Sequence, residues 1–168
     1  MVLNIRPAEP ADVPDIHRLI LELAEYEKLT HEVTGTPAEL LQHLFGPQPF
    51  AHALMAHVDG ELAGFALYFH SYSTFLCRPG LYLEDLYVRL QYRRGGIGRA
   101  LLAELAQRAV AMGCGRLEWA VLDWNAPSIE FYKRLGAQPQ DEWTTFRLTG
   151  DALTRLAADG TAGRATRG

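Results

Sequence analysis

Between residues 81 and 102 the chain reads LYLEDLYVRLQYRRGGIGRALL. The first eight residues are dominated by Leu, Tyr and Val, which predicts a largely buried strand. Three glycines follow at 95, 96 and 98, and then an apolar run with helical spacing that continues to about Met112. Strand, glycine loop and helix in that order form a ready anion nest: loop and first-turn N–H groups point at the ligand, and the helix dipole favours negative charge. Arg93, Arg94 and Arg99 add positive charge at its edge. Taken alone, the stretch equally suits a glycine turn with a solvated arginine pair.

Two familiar phosphate motifs fail here. A P-loop requires Lys and then Ser or Thr after its last glycine, whereas Arg99 and Ala100 follow Gly98. A dinucleotide fingerprint would begin at Gly96, but Leu101 fills its third small position and RLQYRRG separates it from the strand. What remains is Arg93-x-x-Gly96-x-Gly98, compatible with a diphosphate but with neither ATP nor NAD in their usual loops.

The rest of the chain supplies a mixed α/β order. VLNIR (2–6) predicts a strand, and Ile16, Leu19, Ile20, Leu23 and Ala24 recur at helical spacing with Asp12 as the expected N-cap. A second helix opens on Thr36 with Pro37 and Glu39 in capping-box positions and ends near Gly46. AHALMAHV and ELAGFALYFH flank Asp59-Gly60, a strong hairpin signal. Residues 71–80 are expected to be a loop or strand end, 81–88 and 116–123 strands, and 126–136 a short helix capped by Asn125 and stopped at Gly136. A last strand is expected within WTTFRL (143–148). One domain over 1–156 and a small, polar, flexible tail over 157–168 follow, and the irregular order argues against a doubly wound fold.

Composition narrows the partners. The 168 residues are 48% hydrophobic with a net charge of -4, a balance that speaks against nucleic acid as the main partner. Cys77 and Cys114 make no CxxC and belong to no His/Cys cluster, so neither a disulfide framework nor a metal site is implied, and the six histidines lack ligand spacing. No signal-peptide pattern or apolar run of about 18 residues occurs, so a cytoplasmic protein without a membrane partner is expected.

Glu84 and Asp85 interrupt an otherwise apolar strand, which is costly without a purpose. Neighbours on a regular strand face opposite ways, so both can enter one cleft only if the strand is bulged or splayed. An acid in a structural ion pair is the alternative for either.

With its flanks, LYLEDLYVRLQYRRGGIGRALL resembles the acetyl-CoA-binding core of the GNAT N-acetyltransferases, whose hallmark is Arg/Gln-x-x-Gly-x-Gly/Ala. WNAPSIEFYKRLGA (124–137) resembles the second signature segment of that superfamily. IRPAEPADVPDIHRLILELAEYEKL and YLEDLYV are similar to the spermidine/spermine (diamine) N-acetyltransferase branch and its bacterial relatives. The resemblance spans about residues 3–150 and implies a GNAT fold: a mixed, mostly antiparallel sheet flanked by helices. It also implies a homodimer and acetyl-CoA as co-substrate, with no metal.

Amine acetylation needs a base to deprotonate the ammonium, a donor for the developing oxyanion and an acid for the leaving thiolate. The resemblance assigns Glu84 as base through water and Tyr132 as acid; packing between Ile129 and the core is the alternative for Tyr132. It places the pantetheine arm along Leu86, Tyr87 and Val88, with the Leu86 N–H as oxyanion donor. The diphosphate falls to Gln91 through Arg99, including Arg93, Arg94, Gly95, Gly96, Ile97, Gly98 and Arg99, and Asn125, Ser128 and Tyr132 line the rest of the coenzyme. The acceptor amine is expected at Tyr26, Glu27, Glu84, Asp85, Glu118, Trp119, Ala120 and Glu142. Glu27 equally fits the polar face of an amphipathic helix. A small cationic amine (polyamine, diamine or lysine-like) is the expected acceptor, with protein lysines or N-termini as the alternative and a non-catalytic acyl-CoA-binding module behind both.

Overall fold

The computed structural model describes the backbone of residues 1–165 and the side chains of residues 1–160. The chain divides into two compact units, one from Met1 to Ala120 and one from Val121 onward.

The first unit is built on one five-stranded sheet in the order β1 (Leu3–Pro7), β2 (His52–Val58), β3 (Glu61–Ser73), β4 (Arg78–Val88) and β5 (Arg116–Trp119). The first three pairings are antiparallel and only β4–β5 is parallel. Side chains alternate across β2 and β3, so each has two apolar faces to bury. Helices α1 (Val13–Tyr26) and α2 (Pro37–Phe45) cover one face, where Ile16, Leu19 and Leu44 pack with Ala53, Met55, Phe65, Leu67 and Tyr87. Each Ile, Leu, Met or Phe among them contributes about 1.5–3 kcal/mol on removal from water. Helix α3 (Ile97–Ala111) packs on β2, β3 and β4, and its Ile97, Leu101 and Leu105 are buried along with Leu54, Ala66, Leu81 and Leu83 of the strands.

Local signals explain most boundaries. Asp59 and Gly60 have φ of 51° and 85°, the left-handed pair that a two-residue turn between twisted strands requires. The Thr36 hydroxyl accepts the Glu39 N–H at 3.2 Å and starts α2. Asp12 departs from its expected role. It makes no cap bond to α1, because Arg6 holds its carboxylate with two bonds of 2.7 and 2.9 Å and the Glu9 N–H donates to it at 2.7 Å. Most of residues 71–80 are also strand, since β3 and β4 run out to a tip around Thr74–Cys77.

In the second unit, α4 (Ala126–Arg134) begins where Asn125 Oδ1 accepts the Ser128 N–H at 3.4 Å and ends before Gly136, whose φ is 92°. The strand expected at 143–148 is absent. Trp143 and Phe146 are 80% and 93% exposed, and a strand with no neighbour to pair with cannot satisfy its backbone. Helix α5 (Gly150–Ala165) was not expected, its apolar positions being too few to show a period. It takes in much of the stretch read as a polar tail, whose residues 166–168 lie outside the described residues.

Candidate active site

The centre of β4 is irregular. Leu67 of β3 stands opposite Asp85 and Tyr68 opposite Leu83, so Glu84 is an extra residue in the ladder. A bulge lets two successive side chains share one side of a strand, which meets the condition set by the adjacent acids. Glu84 is exposed and Asp85 half-buried. Burial, then the charges of Glu84 and Glu27, push the Asp85 carboxyl up to about 6. Glu27 closes the last turn of α1, and burial raises its carboxyl too. Charges from two elements, Glu84 on β4 and Glu27 at the end of α1, therefore act on Asp85 beside the bulge. The neighbouring Tyr82 phenol is raised by burial and by the charges of Glu84 and Glu118, which puts Glu118 of β5 at the rim of the same acidic region. Trp119 is half-buried at the end of β5 and Ala120 is exposed.

Beyond the bulge, β4 has a partner on one side only. Its parallel pairing with β5 ends at Leu83–Trp119, whereas pairing with β3 continues to Val88. The Arg89 N–H donates to Ala63 O at 2.8 Å on the β3 side. Alternation then turns the polar backbone groups of Leu86 and Val88 to the open edge, with Tyr87 pointing the other way. An extended chain could add to that edge as a strand does.

The open edge leads into the glycine loop. Arg94 and Gly96 have φ of 67° and 80°, successive departures that turn the chain into α3. Gly96 is the N-cap and no side chain caps the helix, so its first N–H groups are left to an outside acceptor. A Cβ added at Gly96 or Gly98 would meet no atom within 4 Å. Ile97 is buried under the loop, while Arg94, Gly95 and Arg99 are exposed.

The Arg93 side chain lies over the sheet side of this loop. Its guanidinium carbon is 4.6 Å from the Tyr26 ring centre and 5.6 Å from that of Tyr87, and its Nε donates to Val88 O at 2.8 Å.

In the second unit Tyr132 is half-buried on α4, its ring 5.5 Å from that of Phe131. Asn125, buried at 8% exposure, is engaged as the cap of that helix through the Ser128 N–H. Glu142 is exposed on a turn after α4.

Residues 16–137 match the Acetyltransferase (GNAT) family. The chain belongs to the GNAT acetyltransferases. It is 43% identical to a Mus musculus thialysine N-epsilon-acetyltransferase, over 92% of this chain and 96% of the relative. It is 36% identical to an Arabidopsis thaliana L-ornithine N5-acetyltransferase, over 93% of this chain and 88% of that protein. Among solved structures, an integron cassette protein from V. cholerae superposes with a TM-score of 0.78 at 26% identity, over 94% of this chain and 98% of that one. The GNAT fold expected from the sequence is thus the fold observed.

Some residues of this GNAT site escaped the sequence reading. Glu22 receives Arg89 through two bonds of 2.8 and 3.1 Å, joining α1 to the end of β4. Tyr82 lies within electrostatic reach of Glu84 and Glu118, which together with burial raise its phenol. Glu22 and Arg89 lie 67 positions apart, so no local spacing could have linked them.

Proposed function

We propose that this GNAT enzyme transfers the acetyl group of acetyl-CoA to a primary amine of a small cationic substrate, a polyamine, a diamine or a lysine-like amine. The observation that carries the reading is the bulge at Glu84, where the charges of Glu84 and Glu27 act on Asp85 immediately before the open edge of β4. A region of one sign concentrates the opposite charge, and relatives acting on thialysine and on ornithine support an amine of that size.

Acetyl-CoA supplies the thioester. Its diphosphate is suited to the uncapped start of α3 and its pantetheine arm to Leu86 and Val88, with the Leu86 N–H donating to the acetyl oxygen as charge develops there. Asp85 and Glu27 hold a cationic nitrogen of the acceptor, and Glu118, Trp119, Ala120, Tyr26 and Glu142 complete its surroundings. Glu84, the exposed acid, accepts the ammonium proton through water so that the free amine can attack. Tyr132 gives its proton to the departing sulfur, and Asn125 and Ser128 hold the start of its helix.

The test is thiol release from acetyl-CoA with thialysine, ornithine, a diamine, spermidine and a lysine-bearing peptide. At least one small amine is expected to turn over, and Tyr132→Phe to lower kcat by about 100-fold or more, as loss of a general acid does. Turnover of the peptide with none of the small amines would refute the reading.

A further inference from the structure

The first arginine of the loop motif has an obvious role as a diphosphate ligand, yet its contacts point elsewhere. The Arg93 guanidinium carbon lies over the rings of Tyr26 of α1 and Tyr87 of β4, at 4.6 and 5.6 Å, and its Nε donates to Val88 O at 2.8 Å. A cation over a ring and a charge-assisted bond to a carbonyl both hold the side chain in place. Tyr26 is the last residue of α1 and precedes Glu27, whose charge acts on Asp85. One turn earlier on the same helix, Glu22 is held by Arg89. Two arginines therefore fasten the end of α1 to the end of β4, and only Arg93 is continuous with the loop that runs into Gly96 and α3.

We infer that Arg93 is a positioning residue for the amine side of the site: it sets Tyr26 and Glu27 against Asp85 and ties their placement to the conformation of the diphosphate loop. The inference rests on the small-amine reading above. It assigns Arg93 a different task from Arg94, Gly96, Gly98 and Arg99, which remain with the diphosphate.

The experiment compares Arg93→Ala, Arg93→Lys, Tyr26→Ala and the Arg93→Ala/Tyr26→Ala pair with the wild type. It reads KM and kcat for the best amine from steady-state kinetics, and the Kd of CoA from titration calorimetry on the enzyme alone. Arg93→Ala is expected to raise the amine KM about tenfold, the scale of a lost cation–ring contact and one charged bond, with kcat and the CoA Kd changed less than about threefold. Arg93→Lys, which keeps a cation near the rings but has no Nε–H to give Val88 O, should recover less than half of that loss. In the Tyr26→Ala background Arg93→Ala should add less than about threefold, since the two share one interaction. A CoA Kd weakened as much as the amine KM, or effects of the two substitutions that simply multiply, would overturn the inference. Should Arg93→Ala fail to fold, Arg93→Lys with and without Tyr26→Ala gives the same two readings. Failure of the small-amine reading would be distinct, because it would show in the wild type.

Discussion

Asp85→Asn isolates the energetic cost of gathering acids at the bulge. The Asp85 carboxyl rises from an ordinary 3.8 to about 6, chiefly through burial and then through Glu84 and Glu27. At about 1.4 kcal/mol per pH unit, that difference corresponds to about 3 kcal/mol of stability withheld once the group is ionised. The folded protein binds this proton more tightly than the unfolded chain. Its stabilising effect is therefore full below pH 3.8, declines as pH rises, and is gone above about 6. An amide of the same shape carries no charge at any pH. The variant should match the wild type near pH 4 and exceed it at pH 8 by up to about 3 kcal/mol, or about 6–12 °C in Tm for a chain of this size. Thermal denaturation followed by circular dichroism at pH 4, 6 and 8 measures this directly. The amine KM should rise at the same time, because the acids that destabilise the free enzyme attract the cation, a familiar trade between stability and function. A stability gain independent of pH, or a loss at pH 8, would refute the argument from burial and charge.

Two further outcomes follow from the geometry. Glu84→Gln should lower kcat/KM about 100-fold at pH 7, with the deficit shrinking as pH rises and more amine is already neutral; a pH–rate profile tests this. Gly96→Ala should cost about 1–2 kcal/mol in denaturant unfolding, because φ at this position is 80°, although a Cβ there meets no atom within 4 Å. Weaker CoA binding in calorimetry should accompany it.

Five of the six expected strands, helices α1 to α4 and the glycine loop were legible because each rests on near-neighbour chemistry, although β5 stops at Trp119 rather than at residue 123. Thr36 bonds Glu39 three residues away, Asn125 bonds Ser128, and Asp59-Gly60 adopts the left-handed pair of conformations that suits twisted strands. Where a distant partner competes, the local signal failed: Arg6 draws Asp12 away from capping α1. WTTFRL is rich in aromatic and β-branched residues that favour strands, but composition does not supply a neighbouring strand, and its large residues remain exposed.

By itself the sequence determined the family, the glycine loop between strand and helix and the adjacent pair of acids, since motif spacing and residue type are properties of the chain alone. Whether Glu84 and Asp85 could act in one place depended on the register between β3 and β4, which inserts Glu84 as a bulge. Tertiary structure likewise decided where β5 stops, which leaves the backbone of Leu86 and the Val88 N–H at an unpaired edge, and which groups Arg93 touches. Register, strand ends and side-chain direction depend on contacts between residues far apart in the chain, and those exist only once the sheet has formed.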